Sequence, residues 1–221
     1  MEKPWEDPDW YDLHDTTWTA GPEREPEHYR ECLLALPPLD RHDHLVDVGA
    51  GTGKLAALIA AGYPRLGRLT LIEPNEAKLA RARQRLTKLL PDAQIHVLPA
   101  ALGQQHTLPK EEATLITVGS VLMPMMELGS GTLADGLAWL RAALADLVHL
   151  LRPGGWLFVV ETLAAPWAQG TPADPVRRLH MSELTAEMAR ARFTGAECVY
   201  RFRDRVVLRA RKAGPDDPKG G

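Results

Sequence analysis

Three glycines at alternate positions, Gly49, Gly51 and Gly53, stand between an apolar run that ends at Val48 and a helical apolar pattern that begins at Lys54. The segment reads His44-Leu45-Val46-Asp47-Val48-Gly49-Ala50-Gly51-Thr52-Gly53-Lys54-Leu55. This pattern predicts a strand, a tight turn and a helix start, the unit from which open α/β sheets are built. Glycine suits such a turn because the turn needs backbone angles that other residues resist, and because it lets a ligand approach the main chain. The helix behind it offers N–H groups and the positive end of its dipole.

The details of the turn separate two ligand classes. A dinucleotide fingerprint, G-x-G-x-x-G, needs glycine where Lys54 stands. A phosphate loop, G-x-x-x-x-G-K-[ST], needs wider glycine spacing and Ser or Thr where Leu55 stands. Asp47 argues further against a pyrophosphate, which a nearby carboxylate repels, and suits a ligand with a cationic amino group. The segment D-x-G-x-G-x-G therefore resembles motif I of the class I S-adenosylmethionine (SAM)-dependent methyltransferases. In that family the glycine loop wraps the amino-acid part of SAM.

The chain has 221 residues, of which 45% are hydrophobic and 25% charged, and this suits one α/β domain with an ordinary core. No apolar run reaches membrane-spanning length. The polar, acidic start Met1-Glu2-Lys3-Pro4-Trp5-Glu6-Asp7 does not read as a secretory signal. Cys32 and Cys198 lie far apart and read as free thiols, so the expectation is a reducing cytoplasm. A net charge of −3 argues against broad attraction to nucleic acid. The expected partner is a small-molecule substrate, bound by a monomer or a homodimer.

Residues 1–38 read as an aromatic-rich arm, carrying Trp5, Trp10, Tyr11, Trp18 and Tyr29, with a short helix over Glu27–Leu36 that Pro37-Pro38 ends. From 39 to 213 strands and helices alternate. Strands are expected at Leu45–Val48, Arg68–Glu73, Ile95–Leu98, Ala113–Val118 and Trp156–Glu161. Helices are expected at Lys54–Ala61, Asn75–Leu90, Thr132–Leu151 and Met181–Arg192. Two strands near Glu197–Phe202 and Val206–Arg211 have only a tight turn between them and must be antiparallel. The tail over 214–221 is polar, rich in Gly and Pro, and expected to be disordered. The alternation implies a Rossmann-like α/β fold: a seven-stranded, mostly parallel sheet with an antiparallel terminal hairpin and helices on both faces.

Two later segments add to the resemblance. Glu73 closes the second strand, about twenty residues beyond the glycines, where an acid can accept both hydroxyls of a ribose. Leu151-Arg152-Pro153-Gly154-Gly155 resembles the L-[RK]-P-G-G turn of the family, with Pro153 ending a helix and the glycines turning the chain into a strand. The terminal hairpin is likewise what a methyltransferase sheet carries. The resemblance covers roughly residues 27 to 212. It implies SAM as cofactor, S-adenosylhomocysteine (SAH) as product and in-line methyl transfer to a small molecule. It maps Asp47, Gly49, Ala50, Gly51 and Gly53 onto the amino-acid half of SAM, and Glu73 and Pro74 onto ribose and adenine. In many relatives a tyrosine from such an arm contacts SAM, which points to Tyr11. The family often places an Asp where Ala101 stands, so the backbone of Ala101 or Leu102, or the amide of Gln104, takes the adenine here; Val118 completes the set.

The fourth strand runs into Leu122-Met123-Pro124-Met125-Met126, an apolar, adaptable stretch suited to the floor of a substrate pocket or to core packing. Candidate bases are His14, Asp15, Glu127, Glu161 and His180, of which His14 and His180 are favoured. His42-Asp43-His44 lacks a third ligand nearby, so no metal is expected. Ser130-Gly131-Thr132 reads as a helix N-cap. Arg201, Arg203 and Arg205, with Arg209, Arg211 and Lys212, read as a charged sheet edge rather than an RNA contact. Methylation of RNA or protein, and SAM binding without catalysis, are the competing readings.

Overall fold

The computed structural model describes residues 6–14, 25–103, 112–128, 132–164, 178–202 and 204–214. The first compact unit, residues 1–101, holds α1 (Pro8–His14), α2 (Glu25–Ala35), β1 (His44–Val48), α3 (Lys54–Gly62), β2 (Arg68–Ile72), α4 (Glu76–Leu89) and β3 (Gln94–Leu98). The second, residues 102–221, holds β4 (Ala113–Gly119), α5 (Leu122–Leu128), α6 (Leu133–Leu150), β5 (Leu151–Thr162), α7 (Met181–Arg190), β6 (Phe193–Phe202) and β7 (Arg205–Lys212). The strands make one seven-stranded sheet in the order β3-β2-β1-β4-β5-β7-β6. Strand β2 is parallel to β1 and β3, and β5 is parallel to β4, while β7 runs antiparallel to both β5 and β6. The expected α/β sheet with its antiparallel end is therefore what the chain forms.

In the first unit every residue of β1 is buried, as are Leu69–Ile72 of β2, as expected for strands covered on both faces. Helix α4 buries Leu79, Ala82 and Leu86, and Asn75 caps it by accepting the Lys78 N–H at 3.0 Å. Gly67 allows the β2 entry to pass the main chain, since a Cβ there would lie 2.0 Å from the Arg41 carbonyl oxygen. In the second unit Leu157–Val160 of β5 and Val206–Leu208 of β7 are buried, and Phe158 is among the largest fully buried side chains.

Three elements depart from the sequence expectation. The arm contains α1, although no helix was expected before Glu27. Its signal was local: Asp7 accepts the Asp9 N–H at 2.8 Å, Pro8 takes the first helical position and Asp9 sits in the first turn. The Met-rich stretch is helix α5, with Met123 and Met126 buried and Met125 partly exposed. The Pro153-Gly154-Gly155 turn lies inside β5. Ala113 pairs with Leu151 and Leu115 with Trp156, so two steps on β4 face five on β5 and the surplus residues form a bulge. Gly155 is needed there, because a Cβ would meet the Arg152 carbonyl oxygen at 2.9 Å and that of Ala113 at 3.0 Å. The expected tail, apart from Gly214, lies outside the described residues.

Candidate active site

The glycine turn of the first unit departs from β1 with Gly49, Gly51 and Gly53 at φ of 67°, 51° and 80°. Four of its N–H groups are satisfied inside the protein. Those of Gly49 and Ala50 donate to the Ile72 carbonyl at 2.8 and 3.1 Å, that of Gly53 to Ala50 at 2.7 Å, and that of Gly51 to Glu73 Oε2 at 3.1 Å. A phosphate cradle needs such groups pointed at the ligand, and these four point inward. Gly53 also lets the turn lie against α4: a Cβ there would be 2.9 Å from Cβ of Ala82.

Two buried carboxylates border the turn. Asp47, near the end of β1, is 2% exposed, and Glu73, just past β2, is 8% exposed. Glu73 Oε1 accepts the Asn75 N–H at 3.1 Å, so each of its oxygens holds one backbone group. A carboxylate has about four acceptor sites, which leaves lone pairs for a ligand's hydroxyls. Behind β1, Cys32 has no exposed surface; burial, reinforced by Asp47, pushes its thiol up to about 12. Lys78 lies near Glu73; burial lowers its pKa against the pull of Glu73 and Glu6. Acidic side chains at both strand ends fit a ligand with a cationic amino group and a hydroxyl-bearing sugar, and they repel a pyrophosphate.

The arm reaches this region through residues that sequence reasoning missed. Asp12 of α1 accepts the Thr52 hydroxyl at 2.7 Å and an Arg81 N–H at 3.1 Å, and lies 3.6 Å from Lys54 Nζ and 3.5 Å from Arg85. Burial raises the Asp12 pKa, but the Thr52 hydroxyl and the cations outweigh it and hold the carboxyl below its usual value. Arg81 and Arg85, four apart on α4, were the sequence signal, since like charges on one helix face call for an anion between them. Tyr11 and His14 lie on the same α1. Their side chains, together with Glu127, Asp15 and Gln104, fall outside the described residues. Pro74 is exposed and Ala101 is half-buried.

In the second unit the ends of β4 and β5 carry a second cluster. Ser120 takes φ 54°, held by its N–H donating to the Val160 carbonyl at 2.7 Å. Glu161 Oε1 accepts the N–H groups of Val121 at 2.7 Å and Leu122 at 2.5 Å, which caps α5. Its Oε2 is buried and has no hydrogen-bond partner among the described residues. Burial pushes this carboxyl up to about 7, against the opposing bonds from Leu122 and Val121. His180 caps α7 through its N–H to Glu183 Oε2 at 2.7 Å, and its Nε2 is buried without a partner among the described residues. Leu102 is buried, and its neighbour Gly103 donates an N–H to Asp146 of α6 at 2.5 Å. Val118 has no exposed surface; Gly119, next along β4, has some to offer a ligand.

The remaining candidates have structural partners. The His44 ring is held by Thr70 at 2.8 Å and Arg68 at 2.9 Å. Thr132 caps α6 by accepting the Asp135 N–H at 3.2 Å. Arg209 and Arg211 lie over the Trp156 ring at 5.4 and 5.2 Å, and Lys212 donates to the Leu151 carbonyl at 2.8 Å. Arg203 lies outside the described residues.

Residues 46–159 match the family described as methyltransferase domain. Ubiquinone/menaquinone biosynthesis C-methyltransferases UbiE from Neisseria gonorrhoeae and Neisseria meningitidis are each 28% identical over 153 residues, covering 68% of this chain and 54% of their own. The chain thus spans about half the length of the curated relatives it matches. Geranyl diphosphate C-methyltransferase from Streptomyces coelicolor, solved with Mg2+, geranyl diphosphate and SAH, superposes with TM-score 0.66 at 14% identity, over 86% of this chain and 80% of that one. The [4+2]-cyclase SpnF superposes with TM-score 0.64 at 16% identity, over 89% and 84%. At these identities the structural likeness speaks for the fold alone.

Proposed function

This chain belongs to the methyltransferase-domain family of class I SAM-dependent enzymes, and on that premise we propose that it carries a methyl group from SAM to a small-molecule acceptor. The observation that bears most weight is the double grip of Glu73, which fixes Gly51 through one oxygen and Asn75 through the other. It ties the glycine turn to the end of β2, with two buried carboxylates beside it and the N–H groups of Gly49, Ala50, Gly51 and Gly53 turned inward. Asp47 and residues 49–53 would hold the amino-acid part of SAM, and Glu73 and Pro74 the ribose and adenine; Ala101, Leu102 and Val118 are the further contacts proposed for the cofactor. SAM supplies a methyl group on a positively charged sulfur. The protein's own contribution is orientation: an acceptor held in line reacts with little further help. Between the two histidines proposed as proton acceptor, His180 has the better claim, because its buried Nε2 lacks a partner among the described residues. The relatives named C-methyltransferases favour carbon as the acceptor atom.

Calorimetry with SAH tests the cofactor reading; no binding at millimolar ligand would sink it. Asp47→Ala and Glu73→Ala should each weaken SAH by about tenfold or more, the worth of a hydrogen bond to a charged group. Unchanged affinity in either variant refutes the role given to that residue. Labelled methyl transfer from SAM into a cell extract, separated by size, tests the acceptor; label in RNA or protein overturns the small-molecule reading. Ala101, standing where the family often places an adenine-binding Asp, keeps a second reading in play, SAM binding without methyl transfer. SAH binding with no labelled product in any fraction would support it.

A further inference from the structure

Helix α1 and Glu6 just before it touch the rest of the first unit, and two of the contacts adjoin residues that frame the glycine turn. Asp12 accepts the hydroxyl of Thr52, which sits in the turn and has no exposed surface. The Arg85 guanidinium ties the same residue from the other side, donating to the Thr52 carbonyl at 2.7 Å. At the far end the Asn75 side-chain amide donates to the Glu6 carbonyl at 2.8 Å, while the Asn75 main chain is held by Glu73. Arg81 donates to both Asp9 and Asp12. A single carboxylate, Asp12, thus lies among three cations, Lys54, Arg81 and Arg85, beside the turn. Without it, those like charges would repel one another across the loop and α4.

We propose that Asp12 is a positioning residue for the cofactor: through Thr52 and the Lys54–Arg81–Arg85 cluster it holds the glycine turn in its binding shape, so that cofactor affinity follows the docking of α1. This inference rests on the reading that the turn binds SAM. It makes affinity sensitive to ionic strength for a reason internal to the protein. The Asp12 pairs are only partly buried, with side-chain exposures between 22% and 33%, so salt screens them. SAH carries one ammonium and one carboxylate and has no net charge, so loss of SAH affinity in salt reports on the protein's latch more than on the ligand.

The experiment is SAH calorimetry on wild type, Asp12→Asn and Thr52→Val at about 0.05 M and about 0.5 M KCl, which span weak and strong screening. Wild type should lose affinity by roughly three- to tenfold between the two, in line with a few partly exposed ion pairs. Asp12→Asn should bind SAH weakly at low salt and hardly respond to more. Thr52→Val should lose affinity yet keep a salt response, because its ion pairs remain. Amide exchange over residues 8–14 should quicken in Asp12→Asn and, for wild type, in high salt. Thermal melts establish that both variants are folded. If wild type fails to bind SAH at millimolar concentration, the cofactor reading falls. If it binds but Asp12→Asn matches it in affinity and salt response, or binds more tightly, the latch is refuted and the cofactor reading stands.

Discussion

Glu161 allows a test in which both sign and size follow from its surroundings. The carboxyl is 2% exposed, and burial pushes its pKa from 4.5 up to about 7 although Leu122 and Val121 donate to it. Between those values the folded protein keeps a proton that the unfolded chain has lost. Folding then takes up a proton, so stability falls as the pH rises through this window and levels off above about 7. The rise from 4.5 to about 7, at about 1.4 kcal/mol per pH unit, amounts to roughly 3 to 4 kcal/mol in full, of which about 3 kcal/mol falls between pH 4.5 and pH 8. Glu161→Gln keeps an oxygen for the Val121 and Leu122 N–H groups but cannot ionise. It should be the less stable protein near pH 4.5, where it adds a buried amide without an acceptor. Its deficit should shrink by about 3 kcal/mol by pH 8, as the wild type is forced to bury a charge. Urea unfolding at steps of pH gives both curves, and subtracting them removes the other titrating groups. Parallel curves, with a constant difference from pH 4.5 to pH 8, would refute the assignment of a neutral carboxyl at this site.

Two further predictions concern the glycine turn and helix α2. Gly53→Ala forces a side chain onto φ 80° and into Ala82 at 2.9 Å, and it should destabilise the protein by about 2 kcal/mol or more; a melting temperature unchanged from wild type would contradict that packing. Cys32, buried and pushed up to about 12, should resist a thiol reagent in the native protein while Cys198 reacts; two equally fast thiols without denaturant would show that the face of α2 carrying Cys32 is not packed away.

Whatever was local in the sequence was legible. The glycine turn, the alternation of strands and helices and the terminal hairpin each depend on residues next to one another, and each is where expected. The boundaries that shifted depend on distant partners. Helix α5 hid in a Met-rich run because its cap is the Glu161 carboxylate, 39 residues further on. The Pro153-Gly154-Gly155 turn became part of a strand because β4 supplies a partner on both sides of it. The same distinction runs through the site. Asp47, Glu73 and the glycines were read from spacing, whereas Asp12 and Thr52 stand 40 residues apart and became a pair only in the fold. Helix α1 is the exception, since Asp7-Pro8-Asp9 carried its signal in plain view and the surrounding aromatics drew attention away from it.

The place of β7 has a consequence for how the protein is made. It is the last strand in chain order, yet it lies inside the sheet, paired with β5 on one side and β6 on the other. On the ribosome, residues 156–162 of β5 lack their partners on the β7 side until Arg205–Lys212 has emerged, and β6 arrives first with nowhere to pair except through the strand still to come. The nascent chain therefore carries an open, apolar edge until β7 emerges, a template for pairing with neighbouring chains. Arg209 and Arg211 are among the residues that close it, and each brings a charge to the Trp156 ring as it does so. A chain cut before Arg205 should aggregate rather than fold with one strand fewer.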